Sequence, residues 1–507
     1  MRARQLLPRM LLLAALALAL IWPAMVNRAP FYTPDTRSYM RGADAIVNKL
    51  THRTTVWTAS EDRPALAAGS ASPKDQEQAL HNIGEARTRS LTEISRKGIV
   101  AGRSPFYGML LYAGQVAGGF WLTTLLQSGA LLVALWLTLR ALGQPAWPQL
   151  AWLGLGLCFL SDAPFFVSYL LPDLFAGIAI LACGLLIGTK QRFAWPDGVL
   201  WYPLLSAAML FHDSCTLICA ALLGLAVVVN LLRRSWANGR GLCVILLAIV
   251  TAFAGQSLLG YGVQRATGTA MQRLPFLSAR LVADGPGTRY LRANCPQSHF
   301  ALCAYADEFP ISDAAFLFGN QPGQQVFETA SYEQRRALSQ EQVRFFLAVL
   351  QYDPVGVLKD GVRNAFMQLI DFRLLELRYD EGMKDVMDRT FPLPVLAQVK
   401  ASGAYRGTLP VTFLTVALYV TVLFSLAWLI FNFYGTRRAR AMSLDLKRVF
   451  LWIAAGLAIN AAACGALSAV DARYQARVVW LLPLLALLVW FDARKGGKEP
   501  SINSKVR

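Results

Sequence analysis

The chain has 507 residues, of which 55% are hydrophobic and 16% are charged, and its mean hydropathy is +0.40. A soluble chain of this length would divide into several domains and carry more charge, so the composition excludes that class and predicts a multi-pass membrane protein. The net charge of +18 does not indicate a nucleic-acid partner, because the basic residues stand largely in short segments between apolar runs, the pattern of cytoplasmic loops.

The first apolar run, residues 10–26, follows three arginines. It is longer than the core of a typical signal peptide, and Pro23 and Asn27 leave no clear small-x-small cleavage site. We therefore expect residues 1–26 to form an uncleaved first transmembrane helix.

Nine further apolar runs are candidate transmembrane helices, since a crossing takes about 20 apolar residues. They are residues 119–139, 148–162, 173–188, 198–212, 215–232, 241–262, 409–432, 449–468 and 477–491. Several are short, so the pairs that meet near residues 162–173 and 212–215 are either full crossings or re-entrant hairpins. Ten crossings return both basic termini to the cytoplasm, which agrees with the basic inner loops.

The sequence thus predicts an all-α, polytopic fold with two large extracytoplasmic segments. The middle of the first, residues 57–78, is rich in Ala, Ser, Pro and charge and indicates a mobile loop; its end, SPFYGMLLYAGQVAGG, predicts a helix in the membrane interface. The predicted division is 1–26 (first helix), 27–118 (first extracytoplasmic loop), 119–262 (helices two to seven), 263–408 (second extracytoplasmic segment), 409–492 (helices eight to ten) and 493–507 (cytoplasmic tail).

The second extracytoplasmic segment contains Cys295 and Cys303, the only two of eight cysteines outside the apolar runs. In an oxidising compartment we expect a disulfide between them, with two free thiols as the alternative. The other six are expected to be small apolar packing residues. Residues 332–388 have helical periodicity, and Pro354 is expected to divide it into two helices.

Polar residues gather where apolar runs begin and end on the predicted extracytoplasmic side. They are Asp35, Ser161, Asp162, Asp173, His212, Asp213, Asp471, Arg473, Tyr474 and Arg477. Ionisable groups at membrane depth are costly and persist where they line a cavity or pair with one another, so five such connections indicate a shared pocket. Carboxylates suit deprotonation of a hydroxyl or binding of a divalent cation, and arginines suit a phosphate. Together they indicate transfer of a group from a lipid phosphate to a hydroxyl.

Four motifs occur in order along the chain. They are PDTRSYM, RSPFYGMLLYAG, SDAPFFVSYLLPDLFAG and DARYQARVVWLLPLL. The second is similar to an R-P-P-x-Y-P segment, and the last to an R-Y-x-x-P segment, of the integral-membrane glycosyltransferases of the GT-C fold. In this order and sidedness the motifs resemble that family, which uses polyprenyl-phosphate-linked sugars.

The resemblance implies roles for several residues. Asp35 matches the acid of the first outer loop, the general base, and Asp162 and Asp173 both match the second acid, with the Pro-Asp step favouring Asp173. Arg473 and Arg477 match the basic residues near the lipid phosphate. The family's usual acidic pair is absent from the first motif, because a threonine follows Asp35. The resemblance therefore does not establish a metal site in the first loop. A divalent cation is the one candidate cofactor.

Four other residues are further substrate-binding candidates: Arg103, His212, Asp213 and Tyr39. His212 and Asp213 are explained equally well by a polar turn between two short helices. For Tyr39 the alternative is an aromatic side chain in the membrane interface.

The principal site residues also have purely structural alternatives. Asp35 is either a base or the N-cap of a helix that begins near Thr36. Asp173 is either a site residue or the cap of the fourth span. Arg473 either binds the donor or forms an ion pair with Asp471.

The function predicted from the sequence is a glycosyltransferase of a bacterial inner membrane, with its active face extracytoplasmic. Its partners would be the bilayer, a polyprenyl-phosphate-linked sugar donor and an envelope glycan, lipid or protein acceptor. The alternatives are a polymerase or ligase of lipid-linked glycans, a transporter of polysaccharide or lipid, and a non-catalytic envelope assembly factor. A transporter would favour inverted repeats and ionisable residues near mid-membrane.

Overall fold

A computed structural model describes residues 2–53, 55–57, 103–144, 146–189, 195–236, 238–295, 297–319, 323–434 and 442–496. These residues form helices joined by turns and short connections, and no β-strand; Phe31 and Tyr169 make one isolated parallel bridge. The loop predicted at residues 57–78 lies, apart from Trp57, outside the described residues.

The helices are numbered here in chain order. The α-helices are α1 Arg2–Leu20, α2 Trp22–Asn27, α3 Pro34–Thr51, α4 Pro105–Gly118, α5 Phe120–Ala141, α6 Trp147–Leu160, α7 Ala163–Ser168, α8 Leu174–Gly188, α9 Trp195–Phe211, α10 Asp213–Arg233, α11 Gly239–Thr267, α12 Phe276–Asp284, α13 Pro286–Asn294, α14 Asp313–Phe318, α15 Tyr332–Tyr352, α16 Pro354–Ile370, α17 Glu381–Thr390, α18 Leu393–Ala401, α19 Gly403–Arg406, α20 Val411–Tyr434, α21 Leu444–Leu467, α22 Ala472–Val479 and α23 Leu481–Gly496. Short 3-10 helices cover Ala301–Glu308 and Leu375–Leu377.

Within the described ranges, six helical stretches are long and apolar enough to cross a membrane, so the chain is a polytopic membrane protein. They are Phe120–Ala141, Asp213–Arg233, Gly239–Ala266, Val411–Tyr434, Leu444–Leu467 and Ala472–Arg494. Four shorter apolar stretches, Leu6–Leu20, Trp147–Leu160, Leu174–Gly188 and Gly198–Phe211, coincide with the other predicted spans. The membrane class is confirmed, and the count of ten crossings stays a prediction.

Helix α8 lies at the centre of the bundle. All of its residues are buried, which explains why its sequence is apolar without a polar face. Glycines let it approach α21 closely, since a Cβ at Gly184 would come within 2.7 Å of Ile453 Cγ1 and one at Gly456 within 2.5 Å of Ile180 Cγ2. The central helix therefore holds Asp173, the residue just before it, in a fixed place.

Residues 274–349 form a second, smaller hydrophobic core, built on α12 to α15. Cys295 and Cys303 are joined by a disulfide there, as predicted. Five of the other cysteines are buried, whereas Cys243 is exposed on α11. The helical stretch from Tyr332 divides at Pro354 into α15 and α16, also as predicted.

Helix α16 packs a polar face against the protein and exposes an apolar face. Asn364 and Gln368 are its buried residues, and Asn364 lies against α21, where a Cβ at Gly465 would come within 2.5 Å of its backbone oxygen. The opposite face is an exposed apolar stripe of Val355, Leu358, Val362 and Phe366, which are 74%, 69%, 62% and 60% exposed. A helix at the surface of a soluble domain shows the reverse arrangement, so we expect this stripe to contact lipid.

Candidate functional site

Two loops at one end of the bundle are bonded to each other through their backbones. The N–H of Phe31 donates to the carbonyl of Ser168 at 2.9 Å, and the N–H of Leu170 donates to the carbonyl of Phe31 at 3.0 Å. This pairing brings the segment before α3 beside the segment before α8. It therefore places Asp35 and Asp173 on the same side of the bundle.

Asp35 lies in the first turn of α3. Thr33 is the N-cap, with a capping box to Thr36, so the alternative role of Asp35 as the N-cap is wrong. Its carboxylate is left to accept a hydrogen bond from Arg103 Nη2 at 2.6 Å, and its other oxygen lies 3.9 Å from Arg473 Nη1. Burial raises the pKa of this carboxyl, but the two guanidinium groups lower it more, so the pKa lies below its ordinary value.

Arg103 is positioned by the start of α4. The residue after it, Ser104, is the N-cap of that helix and accepts a hydrogen bond from the N–H of Phe106. The Ser104 hydroxyl also donates to the carbonyl of Leu210, at the end of α9. Arg103, a substrate-binding candidate from the sequence, is thus fixed directly against Asp35.

Arg473 joins the Asp35 pair to a second acid. Its Nη1 lies 3.4 Å from Glu376 Oε2, and its side chain is 13% exposed. Asp471 does not hold this guanidinium, because its carboxylate accepts the backbone N–H of Arg473 at 2.9 Å as the N-cap of α22. Arg473 instead lies between Asp35 and Glu376, where an anion could reach it.

Glu376 was not predicted from the sequence. Three hydrogen bonds fix the segment that carries it: Phe372 N–H to the Tyr419 hydroxyl at 3.1 Å, Leu374 N–H to Thr415 Oγ1 at 3.2 Å, and Tyr32 N–H to the Tyr379 hydroxyl at 2.8 Å. Burial raises the pKa of the Glu376 carboxyl to about 7, an effect that Arg473 partly opposes.

Arg477 forms the buried floor of the site. Its Nη1 donates to Asp173 Oδ1 at 3.0 Å, and the two side chains are 0% and 4% exposed. Its Nη2 donates to Ser214 Oγ at 3.0 Å and Asn460 Oδ1 at 3.2 Å, and lies 3.4 Å from Cys464 Sγ. A charge so enclosed is held by its partners, so we assign Arg477 a positioning role below a more accessible Arg473.

Tyr39 lies in the wall of the site rather than in the membrane interface. It is 3% exposed and packs edge to face on Tyr107, with ring centroids 5.1 Å apart. The Tyr107 hydroxyl donates to Gln127 Oε1 at 2.9 Å, and the Gln127 amide donates to the carbonyls of Val167 and Tyr169. This chain of hydrogen bonds connects the wall to the loop that precedes Asp173.

The charged side chains of Asp35, Arg103, Asp173, Glu376, Arg473 and Arg477 form a cluster. His212 and Asp213 differ in their contacts with this cluster. Nδ1 of His212 lies 2.8 Å from the Ser214 hydroxyl, which also bonds Arg477. Asp213 is exposed and accepts a hydrogen bond from Gln256 of α11 at 2.7 Å. His212 therefore borders the cluster, whereas Asp213 faces a neighbouring helix, as a polar turn would.

Asp162, the other candidate for the second acid, is not bonded to the cluster. Its side chain is 1% exposed, and neither carboxylate oxygen has a hydrogen-bond partner among the described residues. Burial raises the pKa of this carboxyl well above its ordinary value, because a buried carboxylate loses its hydration. Of the two acids, only Asp173 belongs to the charged network.

Among the described residues, no group of three or more His, Cys, Asp and Glu side chains is arranged to hold a metal ion. The cations that the structure brings to the carboxylates are the guanidinium groups of Arg103, Arg473 and Arg477.

No family model, curated protein or solved structure matches the chain. Function must therefore be inferred from the arrangement of these side chains.

Several residues of the cluster were missed in the sequence. Glu376 stands within RLLELR, far from every predicted span, and Asn460 lies inside an apolar run. The usable signal at Asn460 is a lone polar side chain among apolar neighbours, since burying such a group is costly unless it is paired. Ser214 could have been included because it follows His212 and Asp213 directly.

Proposed function

We propose that the protein is a membrane glycosyltransferase that moves a sugar from a polyprenyl-phosphate carrier to a hydroxyl of an envelope acceptor. The observation that carries this proposal is the placement of Arg473. Its guanidinium is shared by Asp35 and Glu376, at 3.9 and 3.4 Å, and Arg103 lies on the other oxygen of Asp35. A cation for a phosphate thus stands directly beside a carboxylate for a hydroxyl.

The carboxylate of Asp35 is suited to act on the acceptor. Two arginines keep it ionised at neutral pH, and it is 26% exposed, so an acceptor hydroxyl can reach it. Asp35 takes the hydroxyl proton as the acceptor oxygen forms a bond to the anomeric carbon of the sugar. The bond from that carbon to the phosphate oxygen breaks, and the electron pair leaves with the lipid phosphate.

The arginines are suited to the departing phosphate. Charge grows on the phosphate oxygen as the sugar leaves, and guanidinium groups fixed beforehand stabilise it without rearranging. Arg473 and Arg103 are 13% and 25% exposed, so both can reach a ligand. Displacement from the side opposite the phosphate inverts the configuration at the anomeric carbon.

The distribution of basic residues supports an extracytoplasmic site. The cluster lies where α8, α10 and α22 begin. The opposite ends of the apolar helices carry Arg140 on α5 and Arg233 on α10. Arginine-bearing ends are retained in the cytoplasm, and this supports the proposal that the cluster faces the other side of a bacterial inner membrane.

The test measures the lipid carrier, so that neither the sugar nor the acceptor has to be identified beforehand. Purified protein is reconstituted with a whole-envelope extract of cells that lack the gene, which supplies the donor lipid together with lipid, glycan and protein acceptors, and mass spectrometry compares undecaprenyl-phosphate-linked sugars with free undecaprenyl phosphate. We expect the first to fall and the second to rise. Release of undecaprenyl diphosphate instead would indicate a polymerase or ligase, and unchanged lipids would refute the transfer.

The matched experiment in cells identifies the product. Glycans and lipids of the envelope are compared by mass spectrometry between the parent strain and the deletion strain. A glycan or lipid that lacks one sugar only in the deletion strain supports the proposal. Accumulation of a complete product on the wrong side of the membrane would support a transporter.

A further inference from the structure

Asp35 and Glu376 both lie beside Arg473, but they differ in their other ion-pair partners. Asp35 keeps a second guanidinium, Arg103, at 2.6 Å. Glu376 has only Arg473 as an ion-pair partner in the part of the chain that the structure describes, at 3.4 Å. A ligand that competes for Arg473 can therefore displace Glu376 while Asp35 stays bound to Arg103.

The surroundings of Glu376 are mostly acidic. Besides Arg473, the charged groups whose fields act on it are Asp471 at the start of α22, Asp173 before α8, and Asp35 on α3. The hydroxyls of Tyr169 and Tyr379 lie in the same environment. An arriving phosphate would add further negative charge at this point, and like charges in a partly desolvated site repel one another strongly.

We propose that Glu376 is a displaceable partner of Arg473, which holds the guanidinium while the site is empty and binds a proton when a lipid phosphomonoester takes its place. This rests on the donor class proposed above, since the phosphomonoester is the carrier after the sugar has left. A carboxyl with a pKa near 7 takes up that proton at little cost at neutral pH.

The proposal has a specific thermodynamic consequence. If binding of the phosphate requires protonated Glu376, affinity falls as the pH rises above the pKa of the free site, by up to about tenfold per pH unit. One proton is taken up from the buffer for each ligand bound above that pH. The phosphate titrates in the same range, so a variant must separate its contribution from that of Glu376.

The probe is farnesyl phosphate, a short phosphomonoester, titrated by calorimetry into the full chain in lipid nanodiscs, with protein-free nanodiscs as the blank. Measurements at pH 6, 7 and 8 in two buffers of different ionisation enthalpy give the protons taken up. The variant is Glu376→Gln, and the matched control is Glu381→Gln, which makes the same change at a side chain that is 90% exposed.

We expect the wild type and Glu381→Gln to take up close to one proton more than Glu376→Gln at pH 8. We also expect Glu376→Gln to bind farnesyl phosphate more tightly than the wild type at pH 8, by about tenfold. Equal proton uptake in wild type and Glu376→Gln would overturn the role of Glu376 and leave the donor class standing. Absence of binding at every pH would overturn the donor class, and the displacement with it.

If Glu376→Gln fails to fold, the wild type alone still decides. Farnesyl sulfate does not titrate in this pH range, so its binding isolates protons taken up by the protein. Uptake of about one proton with the sulfate at pH 8 supports the displacement, and no uptake refutes it.

Discussion

Nη1 of Arg477 lies 3.0 Å from Oδ1 of Asp173, and the two side chains are 0% and 4% exposed. Removing one member leaves a charge buried without its partner. We expect Arg477→Ala to lower the free energy of unfolding by about 3–5 kcal/mol, measured by chemical denaturation in detergent. The control is Arg363→Ala, whose ion pairs are made by a side chain that is 56% exposed and contribute at most about 1 kcal/mol. Equal losses in the two variants would contradict the structural role of Arg477.

The proposed transfer requires Asp35 as its general base. We expect Asp35→Asn to reduce release of undecaprenyl phosphate by about 100-fold or more, because the amide cannot accept the acceptor proton, with the melting temperature changed little. Asp385→Asn is the matched control, since Asp385 is 58% exposed and pairs with Arg389. Near-normal turnover in Asp35→Asn would show that another group is the base.

Asp162 makes a prediction about pH. Its pKa is raised by burial, so between pH 4 and the raised value the folded chain holds a proton that the unfolded chain has lost. Stability therefore falls as the pH rises through this window. We expect Asp162→Asn, which cannot ionise, to become more stable relative to the wild type as the pH rises through this window, measured by chemical denaturation in detergent at a series of pH values. Parallel pH profiles of stability for variant and wild type would refute the raised pKa of Asp162.

The exposed stripe of α16 makes a prediction about lipid contact. p-Benzoylphenylalanine placed at Phe366, which is 60% exposed, should cross-link to acyl chains when irradiated in membranes, as detected by mass spectrometry. The same photoreactive group at Phe345 of α15, which is 0% exposed, should cross-link within the protein. Absence of lipid adducts at Phe366 would show that the stripe faces water or another protein.

The helical bundle was largely predictable from the sequence because its signals are local. An apolar run identifies a membrane helix by composition, and the break at Pro354 follows from the missing N–H of proline. The meeting of Asp35 with Arg473 was also within reach, since both stand at span ends on the same predicted side. Hydropathy and charge indicate the side of the membrane and the depth at which each residue lies. These two properties are sufficient to predict that Asp35 and Arg473 lie near each other.

The features of the site that could not be predicted from the sequence depend on tertiary contacts. Asp162 and Asp173 lie at the same boundary, and only the fold shows that Arg477 meets Asp173, whereas no cation from the described ranges pairs with Asp162. Glu376 was missed because hydroxyls of Tyr419 and Thr415 on α20 fix its segment through backbone N–H groups. Such bonds between distant segments leave no periodic pattern in the chain.

Contacts in and around the site join parts of the chain that the ribosome synthesises at widely separated times. Tyr32 and Tyr379 are 347 positions apart, Asn27 and Ala404 are 377 apart, and Asp173 and Arg477 are 304 apart. Asp173, just before α8, is therefore synthesised long before Arg477, its cation. We expect a chain stalled before α22 to lack this ion pair and to have a less stable bundle.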